Sequence, residues 1–147
     1  MTVNDNMNGR RVRNLAPHLP IVGIGASAGG VEALEQFFKS VPADHGLAFV
    51  IVTHLSPDRE SLLSEILGRA ARMPVVDARD GERVEAEHVY VLPPSAILTI
   101  RDGRLQLRRT GRADRERAPI DVFFNSLAED RTEILEVAAS SFPLVVA

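Results

Sequence analysis

The sequence contains no cysteine and no tryptophan, and only 5% of its residues are aromatic. Without cysteine the chain can form neither a disulfide nor a thiolate site, which is compatible with the cytoplasmic location that we expect. No apolar run is long enough to cross a bilayer, so we expect no membrane insertion. The net charge of -3 over 147 residues provides no excess of positive charge for nucleic acid. The four histidines are scattered along the sequence, so we expect no metal site. We also expect no cofactor.

Short apolar runs alternate with amphipathic segments over the first half of the chain. Residues 21–24 and 47–53 are typical of buried strands, and each is followed by apolar residues at helical spacing, in 31–38 and 62–70. The order strand, helix, strand, helix predicts an α/β fold with a doubly wound, mostly parallel sheet flanked by helices. Further strands are predicted at residues 75–76 and 89–92.

The second half of the chain departs from this alternation. Asp102-Gly103 lies between two strand-like runs, which is a strong signal for an added β-hairpin. Pro119 then begins a helix, and the spacing of its apolar residues extends as far as Ala138. Residues 144–147 fit either a last short strand or a loose tail.

The most informative stretch joins the first strand to the first helix. Gly25-Ala26-Ser27-Ala28-Gly29 fits G-x-S-x-G, a tight turn that exposes a serine nucleophile beside backbone amides. The helix that follows adds partial positive charge at its N-terminus. The second strand ends in His54, and the carboxyl ends of neighbouring parallel strands share one edge of a sheet. The pattern therefore predicts Ser27 as nucleophile and His54 as general base.

Other interpretations of these residues remain open. A serine in a glycine-rich turn is often only a helix cap, and a histidine after a strand is often a hydrogen-bonded surface residue. Gly23, Gly25 and Ala28 also fit the looser G-x-G-x-x-G/A fingerprint of dinucleotide sites. Such a site needs an acid at the end of the next strand, whereas Asp44 precedes that strand.

Five segments stand in a distinctive order along the chain. They are the Gly-Ala-Ser-Ala-Gly-Gly turn, Thr53-His54, Asp80-Gly81-Glu82-Arg83, residues 89–94 and residues 117–124. Together they resemble the catalytic domain of the chemotaxis protein-glutamate methylesterases, the CheB family. The resemblance predicts a methylesterase domain at residues 20–131, preceded by a flexible lead-in at 1–19 and followed by a divergent tail at 132–147.

The resemblance implies hydrolysis of glutamate γ-methyl esters on chemoreceptors, and deamidation of certain glutamines. It implies Ser27 as nucleophile, His54 as base, an oxyanion hole at the Ala28–Gly29 turn and a substrate groove near Arg117. The expected partners are a methyl-accepting chemoreceptor or a similar signalling protein, and a methyltransferase.

One element of the family has no counterpart in this sequence. A Gly-x-Gly-x-Asp-Gly turn supplies the family's third triad member, and residues 132–147 contain no such turn. Loss of the acid that orients the imidazole costs a triad about 10⁴ in kcat. Because the match to the family stops near Arg131, before its closing strands, we also expect those strands to be missing, which leaves an open sheet edge that favours self-association. The alternative function is a catalytically impaired receptor-binding or regulatory module of the same fold.

Overall fold

The computed structural model describes residues 19–27, 30–54, 57–111, 118–130, 137–139 and 144–146. At residues 27, 54, 57–61, 137–139 and 144–146 it describes the backbone alone. Most of the predicted lead-in, the turn residues Ala28 and Gly29, and Arg117 lie outside the described residues. Within the described ranges, no helix is long and apolar enough to span a membrane.

Eight strands and three helices make up the described part of the chain. The strands are β1 (Ile21–Ser27), β2 (Ala48–His54), β3 (Val75–Asp77), β4 (His88–Val91), β5 (Ala96–Arg101), β6 (Arg104–Arg109), β7 (Val137–Ala139) and β8 (Leu144–Val146). The helices are α1 (Val31–Ser40), α2 (Pro57–Ala70) and α3 (Pro119–Asp130).

A six-stranded sheet in the order β3-β4-β2-β1-β8-β7 forms the centre of the fold. The pairs β1–β2, β2–β4 and β3–β4 are parallel, whereas β8 lies antiparallel to both β1 and β7. β5 and β6 form the predicted hairpin as a separate two-stranded sheet. The predicted α/β class, with a mostly parallel sheet flanked by helices, is confirmed.

The C-terminal part differs from the sequence prediction. α3 ends at Asp130 and does not continue to Ala138, which lies in β7 and pairs with β8. The Asp130 carboxylate accepts hydrogen bonds from the amides of Asp102 and Gly103, so the helix ends against the hairpin turn. The closing strands were expected to be missing, whereas two short strands, β8 and β7, extend the sheet beyond β1, and β3 and β7 are the edge strands of the described sheet. Of the two interpretations of residues 144–147, the short strand is the one observed.

Two apolar layers cover the two faces of the sheet. α1 and α2 pack on one face, where the buried side chains include Ile24, Leu34, Phe38, Phe49, Ile51, Leu63 and Leu67. α3 and the hairpin pack on the other face, where they include Val50, Val52, Tyr90, Leu98, Leu105, Phe123 and Leu127. Because side chains alternate along a strand, residues 22, 24 and 26 of β1 belong to the first face and residues 21, 23 and 25 to the second.

Two glycines of β1 allow α3 to approach the sheet closely. A Cβ atom at Gly25 would lie 2.7 Å from Ile120 Cγ2, and one at Gly23 would lie 3.0 Å from Phe124 Cε1. Ile120, at the start of α3, thus lies over Gly25, while Leu127, near its end, lies over Gly23. The helix therefore runs antiparallel to β1, and its N-terminal end lies at the carboxyl edge of the sheet.

Tyr90 of β4 attaches the preceding segment to the sheet. Its side chain is buried, and its hydroxyl accepts a hydrogen bond from the amide of Glu85 at 2.8 Å. Burial raises the pKa of the Tyr90 phenol, the hydrogen bond from Glu85 opposes this, and the carboxylates of Glu82 and Glu85 raise the pKa further. The net pKa lies above the ordinary value of 10.0.

Tyr90 should make the protein easier to unfold at alkaline pH. The unfolded phenol ionises near pH 10 while the folded phenol stays neutral to higher pH. Its contribution to the free energy of unfolding is therefore complete below pH 10 and is lost as the pH rises through the folded pKa. Tyr90 is the only tyrosine in the sequence, so its phenolate absorbance can be followed directly. Urea unfolding of the wild type and Tyr90→Phe should show a smaller alkaline decline in the variant, and equal declines would contradict this.

Gly25→Ala should lower the free energy of unfolding by about 1–3 kcal/mol, because the new methyl overlaps Ile120 in a packed layer. Gly68→Ala is the matched control. Gly68 is exposed in α2, and a Cβ there meets only Val75 Cβ at 4.0 Å. Alanine should therefore stabilise that helix by about 0.5–1 kcal/mol. Urea unfolding measures both changes, and an undisturbed Gly25→Ala protein would refute the close contact.

Candidate functional site

The carboxyl ends of β1 and β2 bring Ser27 and His54 to the same place. The two strands are parallel neighbours, and their register pairs Ser27 with His54 as the last residue of each strand. Neighbouring strands lie about 4.8 Å apart, so the two backbone positions are within reach of a side-chain contact. The prediction of a Ser–His pair required these strands to be close together, and the structure meets that condition.

Both positions belong to the face of the sheet that α3 covers. Residues 21, 23 and 25 of β1 lie on this face, as do residues 48, 50 and 52 of β2. Ser27 and His54 occupy the next position of each row. Since α3 begins at this edge and packs over Gly25, the pair lies beside the start of that helix.

All three described helices have their N-terminus at this edge of the sheet, since α2 begins at Pro57, shortly after the end of β2. α1 begins at Val31, and Gly30, its N-cap, provides no side-chain hydrogen bond to the first amides of the helix. α3 begins at the same edge, on the other face of the sheet. Each helix N-terminus carries the equivalent of about half a positive charge. The edge therefore favours negative charge, such as the oxyanion that forms when a serine attacks a carbonyl.

The dinucleotide interpretation loses its main support in the structure. Gly23 and Gly25 both lie in β1, where α3 leaves no room for a side chain. Close packing of the helix thus accounts for the glycines that suggested a pyrophosphate turn. Asp44 is exposed in the loop before β2, at the opposite edge of the sheet from Ser27.

Thr53, named above only as part of the Thr53-His54 segment, has a property in the structure that the sequence does not predict. It directly precedes His54, is 1% exposed, and its Oγ1 has no hydrogen-bond partner in the part of the chain that the structure describes. Its register partner is Ala26, so it belongs to the face covered by α1 and α2. A buried hydroxyl without a partner costs about 1–3 kcal/mol. The only signal in the sequence was a polar residue at the end of an otherwise apolar strand.

The acidic residues of α3 lie at opposite ends of the helix. Asp130 is bound to the hairpin turn, far from the carboxyl edge, and Glu129 precedes it at the same end of α3. Asp121 lies in the first turn of α3, at the carboxyl edge, and is exposed. Within the described ranges, no three His, Asp or Glu residues cluster closely enough to hold a metal ion. The predicted roles of Ala28, Gly29 and Arg117 remain predictions, since these residues are outside those ranges.

Thr53→Val should raise the free energy of unfolding by about 1 kcal/mol or more, because it removes a buried hydroxyl that has no partner among the described residues. Ser126→Ala is the contrasting variant. Ser126 Oγ accepts a hydrogen bond from the Ile100 amide at 3.1 Å and donates one to the Phe123 carbonyl at 2.7 Å. Its loss should destabilise by about 1–2 kcal/mol. Thermal unfolding of both variants checks this, and a destabilised Thr53→Val protein would contradict it.

Comparison with known proteins gives a consistent result. A family model described as CheB methylesterase matches residues 22–139. A protein-glutamate methylesterase/protein-glutamine glutaminase of Pseudomonas aeruginosa is 36% identical over 112 residues, which cover 74% of this chain and 32% of the relative. A protein of the same description from Trichodesmium erythraeum is 33% identical over 115 residues, covering 76% of this chain and 33% of the relative.

A solved structure supports the same relationship. The crystal structure of the Thermotoga maritima CheB methylesterase catalytic domain matches with a TM-score of 0.65 and 26% identity, over 77% of this chain and 62% of that one. The chain spans about a third of the length of the curated relatives that it matches. The family match extends over most of the chain, and the chain therefore belongs to the CheB methylesterase family.

Proposed function

We propose that residues 20–131 form the esterase domain of a protein-glutamate methylesterase that hydrolyses glutamate γ-methyl esters on a chemoreceptor or a similar signalling protein. The observation that supports this proposal is the register of β1 and β2, in which the backbone of Ser27 pairs with that of His54 at the carboxyl edge of the sheet. Membership of the CheB methylesterase family supports it. The ester itself is the product of a methyltransferase, which is the partner activity.

The proposed reaction has two half-reactions. His54 removes the proton of the Ser27 hydroxyl as the oxygen attacks the ester carbonyl, and then delivers that proton to the departing methoxide, which leaves as methanol. Water, deprotonated by His54, attacks the resulting acyl-serine. The bond to Ser27 breaks, the serine regains its proton, and glutamate is released. In glutamine deamidation, ammonia takes the place of methanol as the leaving group.

The surroundings of the pair fit an anionic tetrahedral intermediate. The N-termini of α1 and α3 lie at this edge, on opposite faces of the sheet, and contribute partial positive charge at fixed positions. Groups positioned in advance of the reaction stabilise developing charge without a reorganisation cost. The turn amides of Ala28 and Gly29 are the proposed donors to the oxyanion, and Arg117 is the proposed contact to the substrate groove.

Ser27→Ala and His54→Ala should each abolish most of the release of methanol from a methylated chemoreceptor fragment. Loss of a general base costs about 10²–10⁴ in rate, and loss of the nucleophile removes the acyl-serine route altogether. The measurement is methanol formation under saturating fragment, with the folding of each variant checked by circular dichroism. Ser40→Ala is the matched control, because its hydroxyl donates only to the Gln36 carbonyl at the exposed end of α1.

Three outcomes distinguish the possibilities. Activity lost in both variants and kept in Ser40→Ala supports the Ser–His mechanism. Activity that survives Ser27→Ala overturns the nucleophile assignment. A folded wild type that binds the fragment without releasing methanol favours the alternative, a receptor-binding or regulatory module of the same fold.

A further inference from the structure

A cavity of about 400 Å³ lies between the chain that leaves β4 and the end of β6. Residues 93–96 form one side of it and residues 107–109 the other. Two features of the backbone determine the shape of the cavity. Pro93 and Pro94 stiffen one wall, and the Thr110 amide and Oγ1 donate to the Ser95 carbonyl at 3.2 and 3.3 Å. Both walls of the cavity are thus held in place by residues of the chain itself.

The charge of the cavity comes from the end of β6. In the hairpin register, Leu105 and Leu107 lie opposite Ile100 and Leu98 on the face that packs on the core. Arg109 occupies the next position of that row, opposite Ala96, where its side chain is exposed. Arg108 is also among the lining residues, although it belongs to the other face of the hairpin. The carboxylate of Asp80, beside this strand, accepts a hydrogen bond from the Leu107 amide at 2.9 Å.

This combination of residues selects a class of ligand. Guanidinium groups present a planar fork of donors that matches a carboxylate in a bidentate geometry. Proline and leucine side chains provide apolar surface for the aliphatic part of a side chain that carries such a group. The cavity therefore suits the side chains of an acidic peptide better than a bare, fully hydrated anion.

The position of the cavity relates it to the candidate site. β4 pairs with β2, and the Leu92 amide donates to the Ile51 carbonyl just before the chain reaches Pro93. The cavity thus follows the carboxyl end of β4, at the same edge as Ser27 and His54. The hairpin that forms its other wall packs on the α3 face, which is also the face of the Ser–His pair.

We propose that this cavity is a subsite for acidic residues of a polypeptide, with Arg109 as a principal carboxylate contact. This proposal rests on the proposed function in one respect: the polypeptide is taken to be the segment that flanks the methylated glutamate of the substrate. In that arrangement, glutamates beside the methylated residue bind at the cavity while the ester lies at the end of β1. Carboxylates produced by earlier hydrolysis on the same segment strengthen binding.

Peptide binding, measured without turnover, tests this subsite. The probe is a short fluorescent peptide of alternating Glu and Ala, compared by anisotropy with the same peptide carrying Gln in place of Glu. Arg109→Gln should weaken binding of the Glu peptide about tenfold or more. Arg101→Gln is the matched control, because it removes one exposed charge from the opposite end of the same hairpin, about 17 Å away. It should change binding by less than about twofold.

The outcomes separate this subsite from the esterase mechanism. Selective loss in Arg109→Gln, with unchanged binding in Ser27→Ala, supports the subsite whether or not methanol is released. Equal effects of Arg109→Gln and Arg101→Gln, or equal binding of the Glu and Gln peptides, would overturn it. Tighter binding of a single-stranded oligonucleotide of equal charge, also lost in Arg109→Gln, would overturn the assignment to acidic peptide.

Discussion

The close contact between α3 and two glycines of β1 determines the geometry of the candidate site. With no side chains at Gly23 and Gly25, the helix lies directly on the strand, and Ile120 packs where a Cβ atom would be. This contact fixes both the direction of α3 and the height of its first turn above the sheet. The helix N-terminus consequently lies at the carboxyl edge of the sheet. The parallel strands β1 and β2 end at the same edge.

The two faces of the sheet have different roles. The face covered by α1 and α2 is a continuous apolar layer, interrupted by the hydroxyl of Thr53 directly before His54. The other face holds Gly23 and Gly25, α3, the hairpin and the proposed subsite. Chemistry and recognition are thus proposed for one face and one edge, while the opposite layer supports the strands.

Local sequence patterns predicted much of this fold. Apolar runs located β1 and β2, Asp102-Gly103 located the hairpin, and the parallel order of the strands brought Ser27 close to His54. These features depend on residues near one another in sequence, or on topology that few folds violate.

The features that the sequence did not reveal depend on distant contacts. The helical spacing beyond Asp130 was a genuine local pattern, but the hairpin turn binds that carboxylate and the chain then enters a strand. Gly23 and Gly25 matched a nucleotide fingerprint because the identity of a glycine does not say whether a phosphate or a helix approaches it. Arg109 lies opposite Ala96 and lines a cavity with Pro93 and Pro94, residues distant in sequence, so no local pattern predicts this position.

The placement of β8 bears on the order in which the protein is assembled. β1 pairs on one side with β2, where Ile21 meets Ala48, and on the other side with β8, where Ile24 meets Val146. The first pairing closes a short loop, whereas the second joins residues about 120 positions apart and must form late. During synthesis the Ser27–His54 junction can therefore be in place while the far side of β1 still lacks a neighbour. Until β8 is added, the unpaired backbone N–H and C=O groups on that side of β1 can pair with a strand of another chain.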